Sequence, residues 1–261
     1  MRLTRPPRRQ QSVEVFACLL TAVLLGGCAG PAPQPLTIAA AASLAPVFDG
    51  LAAELEGQLG GPVTFSYGST ANLAEQIRNG APFDILAAAD AEHVDQLIAE
   101  GLLEAGSRSV FAHGRLVLAW PADSTIELRS LEDLLDPAVG YLALANPEFA
   151  PYGRAARQAL ERSSLWTELE PRLIYAESIR DAGQLVASGN ADAGLLAAST
   201  ALSLGLPSLE VPAQFFDPIE HVAAARRQGE NQEAALEFLD FLHTAQAAAA
   251  MESFGLSPSD G

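Results

Sequence analysis

Thr37-Ile-Ala-Ala-Ala-Ala-Ser-Leu-Ala-Pro-Val-Phe48 starts as a strand and finishes as a helix. The β-branched pair Thr37-Ile38 suits a buried strand. From Leu44 the apolar residues Leu44, Val47, Phe48, Leu51, Leu55 and Leu59 recur at helical spacing, and Gly60-Gly61-Pro62 stops the run. The pattern then repeats. Val63–Tyr67 reads as a strand, and Thr70–Arg78 as a helix with Leu73 and Ile77 on one face. Phe83–Ala89 reads as a third strand, and Asp90 as the cap of a helix running to Glu100. Three β–α units in succession predict a mainly parallel sheet with helices on its faces.

A second series follows. Val110–Trp120 reads as one long strand, broken by Pro121, and Ser130–Leu135 as a short helix. Gly140–Ala145, Arg172–Ala176 and Ala193–Ala198 read as strands, with helices over Pro151–Arg162 and Ile179–Ser188 between them. Leu206–Phe216 carries little pattern, Ile219–Ala225 is strand-like, and Asn231–Phe254 is helical with Leu236, Phe238, Leu239 and Leu242 as core candidates. The expected fold is α/β in two lobes: residues 36–118 plus 215–261 form the first, and residues 119–214 the second. A core of this size is within reach of a 261-residue chain that is 49% hydrophobic.

The chain contains 15 arginines and no lysine, and its net charge is −17. Such an acidic surface argues against nucleic acid as a partner, because phosphate binding needs clustered positive charge. The first residues depart from this composition. Arg2, Arg5, Arg8 and Arg9 precede an apolar run from Val13 to Leu25, the layout of a secretory signal over residues 1–27 and too short for an ordinary membrane span. Leu25-Gly26-Gly27-Cys28 resembles a bacterial lipobox, which implies lipidation at Cys28, a tether over residues 28–35, and a periplasmic or cell-surface location with the membrane touched only through the anchor. From Cys28 onward 11 arginines face 31 acids, about −20 in net charge.

Catalytic signals are weak. His93, His113, His221 and His243 have no metal-ligand spacing, and His93, amid Glu92 and Asp95, reads as a solvated face residue. No nucleophile elbow and no phosphate loop is present. What recurs is a strand handing over to a helix through small or hydroxylated residues: Ser43, Ser69-Thr70, Pro151-Tyr152-Gly153 and Ser178-Ile179. Helix N-termini carry unpaired N–H groups and partial positive charge, so several that converge form an anion site without a cation. The alanines before Ser43 leave room for a ligand to approach backbone at the carboxyl end of a strand. Ordinary capping by Ser and Thr explains any one of these positions taken alone.

Longer motifs carry a resemblance. "AAASL" (Ala40–Leu44), "YGSTANLAEQIRNGAPFDILAAAD" (Tyr67–Asp90), "RLVLAWP" (Arg115–Pro121), "NPEFAPYGRAARQAL" (Asn146–Leu160), "AESIRDAGQLVASGNADAGLLAAS" (Ala176–Ser199) and "AALEFLDFLHTAQAAAAMESFGL" (Ala234–Leu256) follow one another as in the periplasmic molybdate-binding proteins of bacterial ABC importers. The chain resembles that family over nearly all of its mature length. The resemblance implies a two-lobed periplasmic-binding-protein fold of type II kind with a hinge, no enzymatic activity and no cofactor. It implies molybdate or tungstate as ligand, bound as the oxyanion, ABC transporter membrane subunits as partners, and a monomer. Carried onto this sequence, it implies hydroxyl donors at Ser43 and Thr70 and backbone N–H donors at Tyr152 and Ile179. Ser69 stands beside Thr70 as a further contact. A tyrosine donor found in some members is replaced here by Ala197, with Ser199 the nearest hydroxyl. A receptor for sulfate or phosphate is the nearest rival reading, and an extracellular enzyme on an anionic substrate a more distant one.

Overall fold

The computed structural model describes residues 34–259. The expected signal peptide, Cys28 and most of the tether therefore lie outside the described residues. Residues from Gln34 onward form one unit built on two sheets.

The first sheet starts with β1 (Leu36–Ala41), β2 (Val63–Gly68) and β3 (Ile85–Ala88). β1 pairs in parallel with β2 on one side and β3 on the other. Their connections are α1 (Ala45–Leu59) and α2 (Thr70–Arg78), and α3 (Ala91–Ala99) follows β3. Three later strands extend this sheet antiparallel. β10 (Ile219–Ala225) pairs with β3 and with β4 (Ser109–Gly114), and β11 (Ser257–Pro258) pairs with β4. Phe48 on α1 holds the layers together. Its ring lies 5.4 Å from that of Phe65, 6.5 Å from Phe111 and 5.7 Å from Phe238, so α1 is pinned to β2, β4 and the C-terminal helix α8 (Gln232–Phe241).

The second sheet runs in the order β7-β6-β8-β5-β9. β6 (Leu142–Ala145) pairs in parallel with β7 (Leu173–Ala176) and β8 (Ala193–Ala197), while β5 (Leu116–Ala119) pairs antiparallel with β8 and β9 (Ser208–Glu210). α4 (Pro151–Arg162), α5 (Trp166–Leu169), α6 (Ile179–Ala187) and α7 (Ala198–Ser203) complete this half, and α9 (Ala245–Ser253) follows α8. Both sheets are mixed: the β–α units are parallel, and antiparallel pairing enters through β5, β10 and the short C-terminal β11.

The structure corrects several sequence readings. The single strand expected over Val110–Trp120 is two strands in different sheets, so the chain changes sheet at Arg115 and not after residue 118. Apolar residues continue on both sides of Gly114, which hides the break. Gly114 stands at the crossing against Tyr152: a Cβ there would lie 2.1 Å from the Tyr152 hydroxyl, so the ring fits only because the residue is glycine. Leu236 is 43% exposed rather than core, whereas Phe238, Leu239 and Leu242 are buried. The expected C-terminal helix is two, divided at His243-Thr244, where Thr244 caps the second. β9 and β11 are too short to show a period, and α7 follows β8 with no turn residue between them.

Candidate functional site

The carboxyl ends of β1, β2 and β3 face the N-termini of helices from the second half around one small cavity. It is lined by Ala41, Ala42, Ser43, Gly68, Ser69, Thr70, Ala89, Ala150, Pro151, Tyr152 and Ile179. All four residues expected from sequence to contact a ligand meet here, and so does Ser69. Ala197 and Ser199 are not in the lining. Ala197 is fully buried at the end of β8, and the Ser199 hydroxyl donates to the Ser43 carbonyl at 2.7 Å.

Local geometry separates capping from other roles. Ser43 sits in a single 3₁₀ turn, Ala42–Leu44, placed between β1 and α1, and caps neither element. Its Oγ lies 3.2 Å from His221 Nε2. Ser69 occupies the N-cap position of α2, yet its side chain makes no capping bond, and its Oγ is buried with no partner. Thr70 Oγ1 accepts the Ala89 N–H at 3.1 Å, which leaves its own proton uncommitted. Ser178 behaves differently: it accepts from the Asp181 N–H and donates to the Asp181 carboxylate, an ordinary capping arrangement at the start of α6.

The backbone contributes as well. Tyr152 is the second residue of α4 and Ile179 the first of α6, so their N–H groups have no partner within their helices. Gly153 brings α4 close to the end of β6, since a Cβ there would lie 2.2 Å from the Ala145 carbonyl. Three contacts join the two halves around the cavity: Ser199 to Ser43, the Ala71 N–H to the Phe149 carbonyl at 3.2 Å, and the Arg154–Asp90 ion pair. Asp90 also caps α3 and bonds His93, so His93 is held against a carboxylate and is not the solvated residue expected from sequence. Burial pushes the Asp90 carboxyl up, but hydrogen bonds from His93 and the charges of His93 and Arg154 outweigh it, and the net direction is down.

No charged side chain lines the cavity. Among the described residues no group of three His, Cys, Asp or Glu could hold a bare metal ion. A larger cavity opens beside it, also bordered by helix starts, but Asp49 and Arg180 place charged side chains in its wall.

Ser43 and His221 have the look of a nucleophile–base pair, but the chemistry does not follow. His221 is fully buried, and burial, reinforced by the charge of His113, pushes its pKa down to about 3. Nδ1 has no partner, so nothing orients the ring as a base. Sequence reading passed over His221 as a lone histidine without metal spacing. The available signal was its alternation with Glu220 in the strand-like Ile219–Ala225, which puts the imidazole on the same face as Ile219 and Ala223, where it needs a polar neighbour.

A cavity between two mixed sheets, walled by helix starts and uncommitted donors from both, defines a two-lobed solute-binding protein. The chain belongs to the bacterial extracellular solute-binding proteins, whose family profile matches residues 36–257. It is 34% identical to the molybdate-binding protein ModA of Azotobacter vinelandii, over 87% of this chain and 91% of that protein. It is 32% identical to the ModA protein of Rhodobacter capsulatus, over 94% and 96% respectively. The solved Azotobacter vinelandii periplasmic molybdate-binding protein superposes with a TM-score of 0.80 at 29% identity, covering 85% of this chain and 98% of that one.

Proposed function

We propose that the protein captures molybdate or tungstate outside the cytoplasm and presents it to the membrane subunits of an ABC importer. One observation carries this reading: the cavity is lined by donors and by no carboxylate. A tetrahedral dianion offers only acceptors. The Ser43, Ser69 and Thr70 hydroxyls and the Tyr152 and Ile179 N–H groups offer it hydrogen, in bonds stronger than neutral ones because the acceptor is charged. Phosphate keeps a proton near neutral pH, and this lining offers it hydroxyl lone pairs but no carboxylate, the stronger acceptor. Sulfate has the right charge but is smaller. Donors fixed by backbone cannot all follow it inward, and each one left unpaired costs roughly 1–3 kcal/mol.

The protein acts as a carrier and not as an enzyme, with no resident cofactor, and works as a monomer anchored through a lipid on Cys28. The two halves close on the anion by hinge motion, with the anion bridging Ser43 and Thr70 on one side to Tyr152 and Ile179 on the other. Titration calorimetry with molybdate, tungstate, sulfate and phosphate tests the proposal. Tight binding of the first two and weak or absent heats for the others is expected. Strong sulfate heat with none for molybdate would overturn it.

A further inference from the structure

We propose that His221 is a positioning residue for the anion site: its Nε2–H donates to Ser43 Oγ and so commits the single Ser43 proton to the bound oxyanion. This deepens the reading above and rests on it.

The two ring nitrogens are in unlike positions. Nε2 has one partner, Ser43 Oγ at 3.2 Å, and Nδ1 has none, in a ring with no exposed surface. A neutral imidazole carries one proton. Placed on Nδ1, it would be a buried N–H with no acceptor, a rare and costly arrangement. Nε2 would then draw the Ser43 proton onto itself, and Ser43 would face the cavity with lone pairs only, repelling an anion. Placed on Nε2, the proton has an acceptor, and the nitrogen left bare is an unfilled lone pair. Satisfaction of the ring and polarity of the cavity select the same tautomer.

The surroundings keep the ring neutral and fixed. Phe111 and Tyr152 pack against it, with ring centroids 6.0 and 6.1 Å away. Its Cε1 would be 3.0 Å from a Cβ at Gly114, so the glycine that admits Tyr152 also leaves room for the imidazole. The titratable groups that bear on it are His113, which opposes a charge on the ring, and Asp90, which favours one. The Ser43 carbonyl is held independently by the Ser199 hydroxyl, and the Tyr152 hydroxyl also meets the Ser43 hydroxyl, to which it can donate as His221 does, so both polar ends of Ser43 are fixed by other residues. A chain of bonds aligned in one direction also polarises its last donor toward the anion.

The test reads the tautomer directly. Long-range ¹H–¹⁵N spectra of ¹⁵N-histidine-labelled protein, assigned by the signal lost in H221Q, should show a protonated Nε2 and a bare Nδ1 at neutral pH, with and without molybdate. A protonated Nδ1 would overturn the proposal. Molybdate affinity supplies a second reading. H221F, which keeps the bulk and loses the donor, should bind about 10- to 100-fold more weakly. H221Q, whose amide can still donate, should recover most of that loss, and H221F should add nothing in an S43A background. Wild-type affinity in H221F, or H221Q as weak as H221F, would contradict it. If the wild-type protein binds no molybdate, the functional reading is at fault, and the tautomer still decides the bond to Ser43.

Discussion

At the scale of single residues, the site is marked by hydroxyls that the folded chain does not use. Ser69 is the plainest case: it is 5% exposed, sits where a cap belongs, and makes no capping bond. A buried hydroxyl without a partner costs stability, which a ligand would recover. S69A should therefore raise the stability of the ligand-free protein by about 1 kcal/mol while lowering oxyanion affinity, measured by denaturant unfolding and calorimetry on the same preparation. A loss of stability with unchanged affinity would make Ser69 a structural cap. His221 gives a second residue-level expectation. Its folded pKa of about 3 lies below the ordinary 6.5, so the unfolded chain binds the extra proton first as pH falls. The contribution is complete above pH 6.5 and is lost progressively toward pH 3, at up to about 1.4 kcal/mol per unit. Unfolding of wild type and H221F at pH 7, 5.5 and 4.5 should show a steeper acid loss in wild type. Parallel curves would mean that the ring is not buried in neutral form.

At the scale of elements, the start of α4 depends on Gly153, which has helical backbone and could be any residue but for the Ala145 carbonyl beside it. G153A must push α4 away from β6 and carry the Tyr152 N–H with it. A fall in oxyanion affinity of tenfold or more in a protein that still melts cooperatively is expected, since donors must hold position to within a fraction of an ångström. Unchanged affinity would remove the Tyr152 N–H from the site. The same elements show what a sequence makes legible. The units built on Leu36–Ala41, Val63–Gly68 and Ile85–Ala88 were readable because strand and helix periods alternate cleanly and Gly60 and Gly80 punctuate them. Ser43, Thr70, Tyr152 and Ile179 were readable as starts of helices after strands, although their joint contact with one cavity rests on the resemblance and not on spacing. The Arg115 crossing was not readable, because apolar residues continue on both sides of it and the contact of Gly114 is with a tyrosine 38 positions further along the chain. The His221–Ser43 bond spans 178 positions, and no local pattern reports it.

At the scale of the whole molecule, a net charge of −17 repels the ligand that the cavity attracts. The two effects differ in range. Surface charge acts over the Debye length, about 10 Å at 0.1 M salt, whereas helix starts and hydroxyls act at contact. Salt should therefore speed association, in contrast to the usual slowing seen for opposite charges. Stopped-flow association of molybdate at 10 and 200 mM ionic strength should show a rise in the on-rate with little change in the off-rate. A fall would point to a cationic entry, with Arg180 beside the cleft the first residue to replace.

The central claim is that neutral dipoles, with no cation among them, hold the ligand between the two halves. A crystal structure of the protein grown with molybdate, with anomalous density collected at the molybdenum edge, tests it most directly. The account predicts one peak within hydrogen-bonding reach, through its oxygens, of the Ser43 and Thr70 hydroxyls and the Tyr152 and Ile179 N–H groups. A peak elsewhere, or one whose nearest partner is an arginine guanidinium, would contradict it.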